Sequence, residues 1–186
     1  NIHLIAYSAN GTDRVDLTPN AKRELAIDPE LEVSSNGRLV AVTWQRSGKD
    51  RVIDQFILLI DMETGDQKVF GDETGITNEQ PQFSPDGTTL AVVRSVRSQE
   101  LAPHPKLMLI DVTSGDESTS GGEWALHPHV SSWTSDGRHL IVTADDGGDV
   151  PVYVIDLENG EARRITSRVS GGVHSDIVTL PDGRLA

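Results

Sequence analysis

The segment His174-Ser175-Asp176 contains the three residue types of a serine-hydrolase catalytic triad. In such triads the three side chains meet in space from separate parts of the chain, so adjacency in sequence does not build one. On a strand, His174 and Ser175 would point to opposite faces. A nucleophile elbow of the form Gly-x-Ser-x-Gly is absent from the sequence. We therefore predict no catalytic residue, and interpret the segment as the start of a strand beside a central channel.

Two further segments invite a metal-site interpretation. His127-Pro128-His129 places two imidazoles on one side of an extended segment, with Glu123 nearby, but a zinc site needs further ligands that this spacing does not supply. The acidic run 145–149 lacks the Asp-x-Asp-x-Asp-Gly order of a calcium loop, and we interpret it as a solvated turn. No phosphate-binding loop or dinucleotide fingerprint occurs. The sequence thus predicts no metal-binding residue, no cofactor and no cofactor-binding residue.

These residues are positioned by a hairpin that recurs along the chain. In Pro85-Asp86-Gly87, proline presets φ for a turn and glycine adopts positive φ without steric cost. Apolar β-forming residues flank the turn, which predicts a β-hairpin. Four turns align on glycines that are 50, 50 and 46 residues apart: Ser35-Asn36-Gly37-Arg38, Pro85-Asp86-Gly87-Thr88, Ser135-Asp136-Gly137-Arg138 and Pro181-Asp182-Gly183-Arg184.

A second turn keeps the same period. It follows the apolar runs that end in Ile60-Asp61, Ile110-Asp111 and Ile155-Asp156, and its glycines are 50 and 45 residues apart. Each period therefore contains two hairpins, or four strands, which is typical of a β-propeller blade. The alternative is an all-β sandwich with coincidental turns, and two markers in phase disfavour it.

The predicted fold is all-β, a propeller of about four blade-equivalents of four antiparallel strands (a to d). The a–b and c–d turns share one face, and the variable b–c and d–a loops share the opposite face, where binding functions are normally located. The predicted units are a partial c–d blade at 1–20, blades at 28–70, 79–119 and 128–166, and a partial a–b blade at 173–186.

Three aromatic residues stand out against the low aromatic content of 4%. We interpret Trp44, Phe83 and Trp133 as occupying equivalent strands in three blades. They could form an aromatic ligand site, but packing between neighbouring blades is the commoner role of such side chains. The sequence therefore favours a structural role for all three.

Composition excludes several classes of function. The chain has 186 residues, a net charge of −13 and no cysteine, so disulfides, thiolate metal sites and cysteine nucleophiles are ruled out. An acidic surface repels phosphate backbones, which predicts no nucleic-acid partner. No apolar run reaches the ~20 residues of a membrane span, so we expect no membrane partner. The lack of cysteine favours a cytoplasmic location, and an N-terminal Asn1 leads us to expect a longer parent polypeptide.

The repeat resembles known proteins. Phe83-Ser84-Pro85-Asp86-Gly87 followed by Leu90-Ala91-Val92 resembles the Ser-Pro-Asp-Gly propeller repeat of TolB-like proteins. The succession from Trp133 through Gly137, Asp145–Gly148 and Pro151–Leu157 to Thr166 is similar to the propeller of prolyl oligopeptidase family serine peptidases, most closely the acylaminoacyl-peptidase branch.

That resemblance implies a seven-bladed propeller that caps a downstream α/β-hydrolase domain and gates access of peptide substrates by size. We therefore expect an open arc of about half such a ring, with the hydrolase domain of the same polypeptide and its peptide substrates as partners. Two alternatives remain: a stand-alone TolB-like module that binds proteins through its variable loops, and a closed four-bladed ring. A ladder between 2–7 and 184–186 would distinguish the closed ring from the arc.

Overall fold

A computed structural model describes residues 3–19, 24–25, 29–47, 53–97, 105–121, 126–167, 171–180 and 182–186. These residues form strands and no helix. In chain order the strands are β1 (Ile5–Tyr7), β2 (Arg14–Asp16), β3 (Glu24–Leu25), β4 (Leu31–Val33), β5 (Leu39–Ser47), β6 (Ile53–Asp61), β7 (Gln67–Phe70), β8 (Ile76–Phe83), β9 (Thr89–Val96), β10 (Lys106–Asp111), β11 (Glu117–Ser120), β12 (Pro128–Trp133), β13 (His139–Ala144), β14 (Val152–Asp156) and β15 (Ala162–Arg164).

Three complete blades follow one another along the chain. Strands β4–β7, β8–β11 and β12–β15 each pair antiparallel with their sequence neighbours in the order a, b, c, d. A parallel bridge between Gln55 and Thr77 connects the first two blades. This arrangement confirms the predicted four-stranded repeat and its all-β propeller class.

In each blade, a backbone hydrogen bond joins the a–b turn to the c–d turn on one face. The backbone N–H that follows strand c donates to a carbonyl of the a–b turn at the same place in all three repeats. The pairs are Met62 with Arg38, Val112 with Thr88, and Leu157 with Arg138, at 2.7–3.0 Å. The b–c and d–a connections consequently lie at the opposite ends of the strands.

The tight turns depend on glycine and on one acceptor side chain. Gly37, Gly87 and Gly137 have φ of 73°, 72° and 70°, as the turn sequences predicted. In the central turn, Asp86 accepts hydrogen bonds from the Ser84 hydroxyl at 2.6 Å and the Thr88 N–H at 3.0 Å. The Ser84 bond, followed by those from Thr88, holds the pKa of Asp86 below its usual value. Asn36 and Asp136 accept equivalent bonds in the neighbouring repeats.

Apolar side chains fill the spaces between blades. Phe83 packs with Ala41 and Leu59 of the preceding blade, and Trp133 packs with residues of the second blade and donates its indole N–H to the Gln82 carbonyl at 3.0 Å. A third cluster holds the first blade against the β1–β2 hairpin. The core is therefore a series of interfaces between blades.

One of the aromatic predictions was wrong in its position. Trp44 lies on strand b of its blade, in β5, whereas Phe83 and Trp133 lie on strand a. Val33 is the residue of the first blade that aligns with Phe83 and Trp133, four residues before the turn glycine. Trp44 is nevertheless buried, as a packing role requires.

Strand limits differ from the sequence predictions in several places. β5 and β9 continue through Ser47 and Val96, into the segments 45–52 and 94–106 that the sequence predicts as b–c loops. Cross-strand pairs such as Arg46 with Asp54 maintain the ladder there, whereas the polar residues and Gly48 of the sequence favour a loop. β3, which lies between the predicted units 1–20 and 28–70, also pairs with β5.

The predicted strands at 174–180 and 184–186 form only isolated bridges in the described part of the chain. Thr179 pairs with Leu185, and Val178 exchanges two backbone hydrogen bonds of 3.0 Å with Ala186. Val173 instead forms a parallel bridge with Val150 of the third blade. The a–b hairpin is present, but the hydrogen bonding of 173–174 to the third blade diverts the start of its first strand.

The arc is open among the described residues. β1 pairs with β2 alone, and no ladder joins β1 to residues 184–186. Val33 is 46% exposed, whereas its equivalents Phe83 and Trp133 are 6% and 8% exposed because each contacts a preceding blade. The described part of the chain contains no helix of the length and apolar character that a membrane crossing requires.

We expect the Gly87→Val substitution to destabilise the chain by about 1–2 kcal/mol, since a β-branched residue must then adopt positive φ. Gly87→Asn should cost less, because asparagine tolerates this conformation better. Urea unfolding of both variants measures the difference. Equal stability of wild type and Gly87→Val would contradict this account of the turn.

The exposed apolar face of β4 predicts concentration-dependent self-association. A double substitution, Leu31→Thr with Val33→Thr, should weaken it, because it removes apolar surface and places at both positions a β-branched residue that suits a strand. Val69→Thr, on the outer strand of the same blade, serves as the matched control. Sedimentation velocity gives the readout, and a chain that stays monomeric at every concentration would refute the prediction.

Candidate functional site

A polar groove lies at the inner edge of the third blade, on the face of the b–c and d–a loops. Its volume is about 480 Å³, and it lies between β8, β12 and the segment that follows β15. We call it the inner groove. Its walls include Gln80, His129, Thr143, Asp145, Val173 and His174. In a propeller, the innermost strands surround the central channel, so the groove opens where a channel ligand would pass.

Gln80 lies at a β-bulge in strand a of the second blade. The register between β8 and β9 shifts between Glu79 and Gln82, and Gln80 has a φ of 55°. Positive φ is unfavourable for a non-glycine residue and is retained where the surroundings compensate. The bulge turns both the backbone N–H and the side chain of Gln80 away from the ladder, toward the neighbouring blades.

Hydrogen bonds at this position connect three successive blades. The Glu30 carboxylate accepts the backbone N–H of Gln80. The Gln80 side-chain oxygen then accepts the backbone N–H of Val130 at 2.8 Å. Glu30, Gln80 and Val130 each lie seven residues before a turn glycine. We call this series the blade clasp, since each side chain fixes the same backbone position of the next repeat.

In each of two histidines of the inner groove, one ring nitrogen forms a hydrogen bond. The Nδ1 of His129 lies 3.1 Å from the Gln80 amide nitrogen. The Nδ1 of His174 lies 2.8 Å from the Val150 carbonyl oxygen, and the His174 backbone N–H donates to that same oxygen at 3.1 Å. Both imidazoles are thereby oriented by the adjoining strands.

Aspartates in or just before strand c shape the same loop face. Asp54 accepts the N–H of Gly75, and Asp149 accepts the N–H of Gly172, both at 3.0 Å. The Gly172 contact fixes the segment that leads into Val173 and His174. The two aspartates each lie eleven residues before the glycine of a c–d turn. The same contact between an aspartate and a glycine N–H therefore occurs in the loop between the first two blades and in the groove wall.

Asp54 is a buried charge with two guanidinium partners. Arg46 and Arg97 lie 3.3 and 3.0 Å from its carboxylate oxygens, and Arg46 also pairs with Asp72 at 2.7 Å. Burial would raise the pKa of Asp54, but hydrogen bonds from Gly75, Arg46 and Arg97 outweigh it and lower the pKa. The ionised carboxylate thus holds the b–c ends of two blades together.

The triad residue types do not assemble into a triad. In the described part of the chain, no hydrogen bond joins His174 to Ser175 or to Asp176. His174 is instead bonded to the third blade, and Asp176 has a φ of 56° at the repeat position of Gln80. The segment lines the inner groove, on the side where the sequence predicts a central channel.

The metal candidates show mixed outcomes. The rings of His127 and His129 stack with centroids 5.6 Å apart, Glu123 lies outside the described residues, and no group of three metal-ligating side chains occurs among those that are described. The acidic run forms a turn in which Asp145, Gly147 and Gly148 are exposed, but Asp146 also has a structural role. Asp146 accepts bonds from Tyr153 at 3.1 Å and from Arg164 at 3.2 Å, so this turn braces the third blade.

The sequence prediction missed Gln80 and Glu30. Two signals were present: their spacing of 50 residues, and Pro81 within an otherwise regular strand. Proline lacks a backbone donor and is confined in sheets to edges, strand starts and bulges. Pro81 therefore marks the bulge that directs Gln80 toward its neighbours.

Solved structures share the architecture of these blades. TolB from Acinetobacter baumannii aligns over 99% of this chain and 42% of its own, with a TM-score of 0.68 and 19% identity. The propeller domain of the trilobed protease from Pyrococcus furiosus, described as having an open velcro topology, aligns over 75% of this chain and 43% of its own, with a TM-score of 0.56 and 17% identity. The chain is a β-propeller segment.

Further comparisons connect the propeller to peptidases. An acylaminoacyl peptidase aligns over 78% of this chain and 26% of its own, with a TM-score of 0.55 and 19% identity. An uncharacterized peptidase, YuxL of Bacillus subtilis, is 35% identical over 104 residues, and a Tol-Pal system protein TolB of Francisella tularensis is 34% identical over 53. The matched segments span 16% and 12% of these two relatives. No protein-family model matches the chain.

Replacing Asp54 with asparagine should destabilise the propeller by about 1–3 kcal/mol, because buried donors lose a charged acceptor. Since the folded-state pKa of Asp54 is lowered, its stabilisation is complete above the ordinary aspartate range and is lost as pH falls through the folded pKa. The variant should therefore lose stability less steeply in acid. Asp72→Asn, which removes the more exposed of the two carboxylates that pair with Arg46, is the control. Equal effects of both substitutions in urea unfolding would contradict the proposed role of Asp54.

Proposed function

We propose that the chain is the non-catalytic propeller part of a serine peptidase and gates peptide access to an α/β-hydrolase domain of the same polypeptide. The match to the YuxL peptidase carries this proposal, because it extends over 55% of the chain at 35% identity. Structural likeness to the trilobed protease and acylaminoacyl peptidase propellers supports the same assignment.

The inner groove supports a role in peptide passage. It is lined by neutral polar and acidic groups, including Gln80, His129 and Asp145, rather than by a nucleophile paired with a base. Such a surface can exchange hydrogen bonds with a polypeptide backbone while leaving bond cleavage to another domain. In this proposal an extended chain passes along strand a, whereas a folded protein is excluded by its size.

A second candidate is a stand-alone module of TolB type that binds a protein partner through the b–c and d–a loops. The observation behind it is that the A. baumannii TolB structure aligns with 99% of this chain. The two candidates share the fold and the loop face. They differ in whether a hydrolase domain accompanies the propeller.

The coding sequence that follows codon 186 tests the choice directly. We predict that it continues in frame into an α/β-hydrolase domain with a Gly-x-Ser-x-Gly elbow. The 186-residue chain alone should not hydrolyse acyl-peptide or aminoacyl esters, because the nucleophile belongs to the other domain. An in-frame stop codon directly after Ala186 would favour the binding module.

Gating has its own readout in the full-length product. We expect kcat/KM for a short chromogenic peptide to exceed that for a folded protein substrate, and deletion of the propeller to remove this discrimination. Hydrolysis by the isolated 186-residue chain that is lost on His174→Ala or Ser175→Ala would overturn the non-catalytic assignment.

A further inference from the structure

We propose that the inner groove binds one peptide unit of an extended chain, with His129 as the hydrogen-bond donor and His174 as the acceptor. This inference rests on the proposed function, because it names the part of a passing peptide that the groove would hold. It depends on which ring nitrogen of each neutral imidazole carries the proton, and the hydrogen-bond partner of each Nδ1 determines this.

The tautomer of His129 follows from the blade clasp. The backbone N–H of Val130 can only donate, so the Gln80 atom 2.8 Å from it is the amide oxygen. The Gln80 –NH₂ group must then face the Nδ1 of His129 at 3.1 Å. An amide –NH₂ also can only donate, so Nδ1 accepts and carries no proton. The neutral ring therefore has its proton on Nε2, which is a donor.

The tautomer of His174 is the opposite one. Its Nδ1 lies 2.8 Å from the Val150 carbonyl oxygen, which can only accept. Nδ1 therefore carries the proton, and the Nε2 of the neutral ring is an acceptor. The backbone pairing between Val150 and 173–174 fixes this ring against the third blade.

The two free nitrogens complement a peptide unit. Among the described contacts, neither His129 Nε2 nor His174 Nε2 has a protein partner, and both rings line one groove. A peptide unit presents one C=O acceptor and one N–H donor, and each is costly to bury unpaired. One donor and one acceptor from opposite tautomers match the one acceptor and one donor of a neutral peptide group.

The tautomers can be measured without a ligand. In ¹⁵N-labelled 186-residue chain at pH 8, above the range in which histidine normally titrates, long-range ¹H–¹⁵N correlation spectra should show His129 protonated on Nε2 and His174 protonated on Nδ1. The same tautomer for both rings, or averaged signals for either ring, would overturn the proposal.

Binding is tested by titration with the blocked peptide N-acetyl-Ala-Ala-Ala-amide. We expect saturable shifts of the imidazole nitrogens of His129 and His174. Correct tautomers without such shifts would refute the subsite. They would leave the propeller's place in a peptidase untouched, since the coding sequence tests that separately.

A charge-matched pair of variants isolates the role of Gln80. Gln80→Glu keeps an acceptor for the Val130 N–H but cannot donate to His129, so His129 Nδ1 must take the proton and Nε2 becomes an acceptor. We expect about a tenfold loss of peptide affinity, corresponding to one hydrogen bond.

Gln82→Glu is the control, because Gln82 also lines the groove and the substitution adds the same charge. It should leave the tautomer of His129 unchanged and retain most of the affinity. Equal loss in both variants would show that charge, rather than the imidazole donor, determines binding, and would contradict the proposal.

Discussion

Each blade of this protein must bury both faces of a four-stranded sheet, and it can do so only against its neighbours. Ile57, Leu90, Val92 and Ile110 are fully buried because they lie between successive blades rather than within one. Burial of such apolar side chains is the main favourable contribution to folding. Since the stabilising surface is an interface that repeats, every feature of the loop face depends on how accurately one blade is positioned on the next.

Polar contacts at equivalent repeat positions determine how one blade is placed on the next. The blade clasp joins Glu30, Gln80 and Val130. In addition, the side-chain amide of Asn78 in the second blade donates to the Gln55 carbonyl of the first blade at 3.1 Å. Apolar packing tolerates small sliding movements, whereas a hydrogen bond does not. The polar contacts therefore determine where the groove side chains lie, and Gln80 takes an unfavourable backbone conformation in order to make them.

Much of the fold could be predicted from the sequence because its determinants are local. The turn glycines, the Asx-type acceptors and the two turns per period lie within a few residues of one another, and their repetition identifies the blades. The groove could not be predicted in this way. The orientation of His129 depends on Gln80, 49 residues earlier, and the acidic turn at Asp146 acquires its role only through Tyr153 and Arg164. The strand of Trp44 was misassigned for another reason. Hydrophobicity alone does not distinguish strand a from strand b.

Amide hydrogen exchange at the clasp is the most direct test of the claim that blade register builds the groove. The N–H groups of Gln80 and Val130 lie at or beside irregularities of their ladders, and they should nevertheless exchange as slowly as neighbouring strand amides, because side chains of the preceding blade accept them. Asp176 occupies the same repeat position, but the Val130 side chain offers it no acceptor, so its N–H should exchange at least about tenfold faster. Fast exchange at Gln80 and Val130, equal to that of Asp176, would contradict the account.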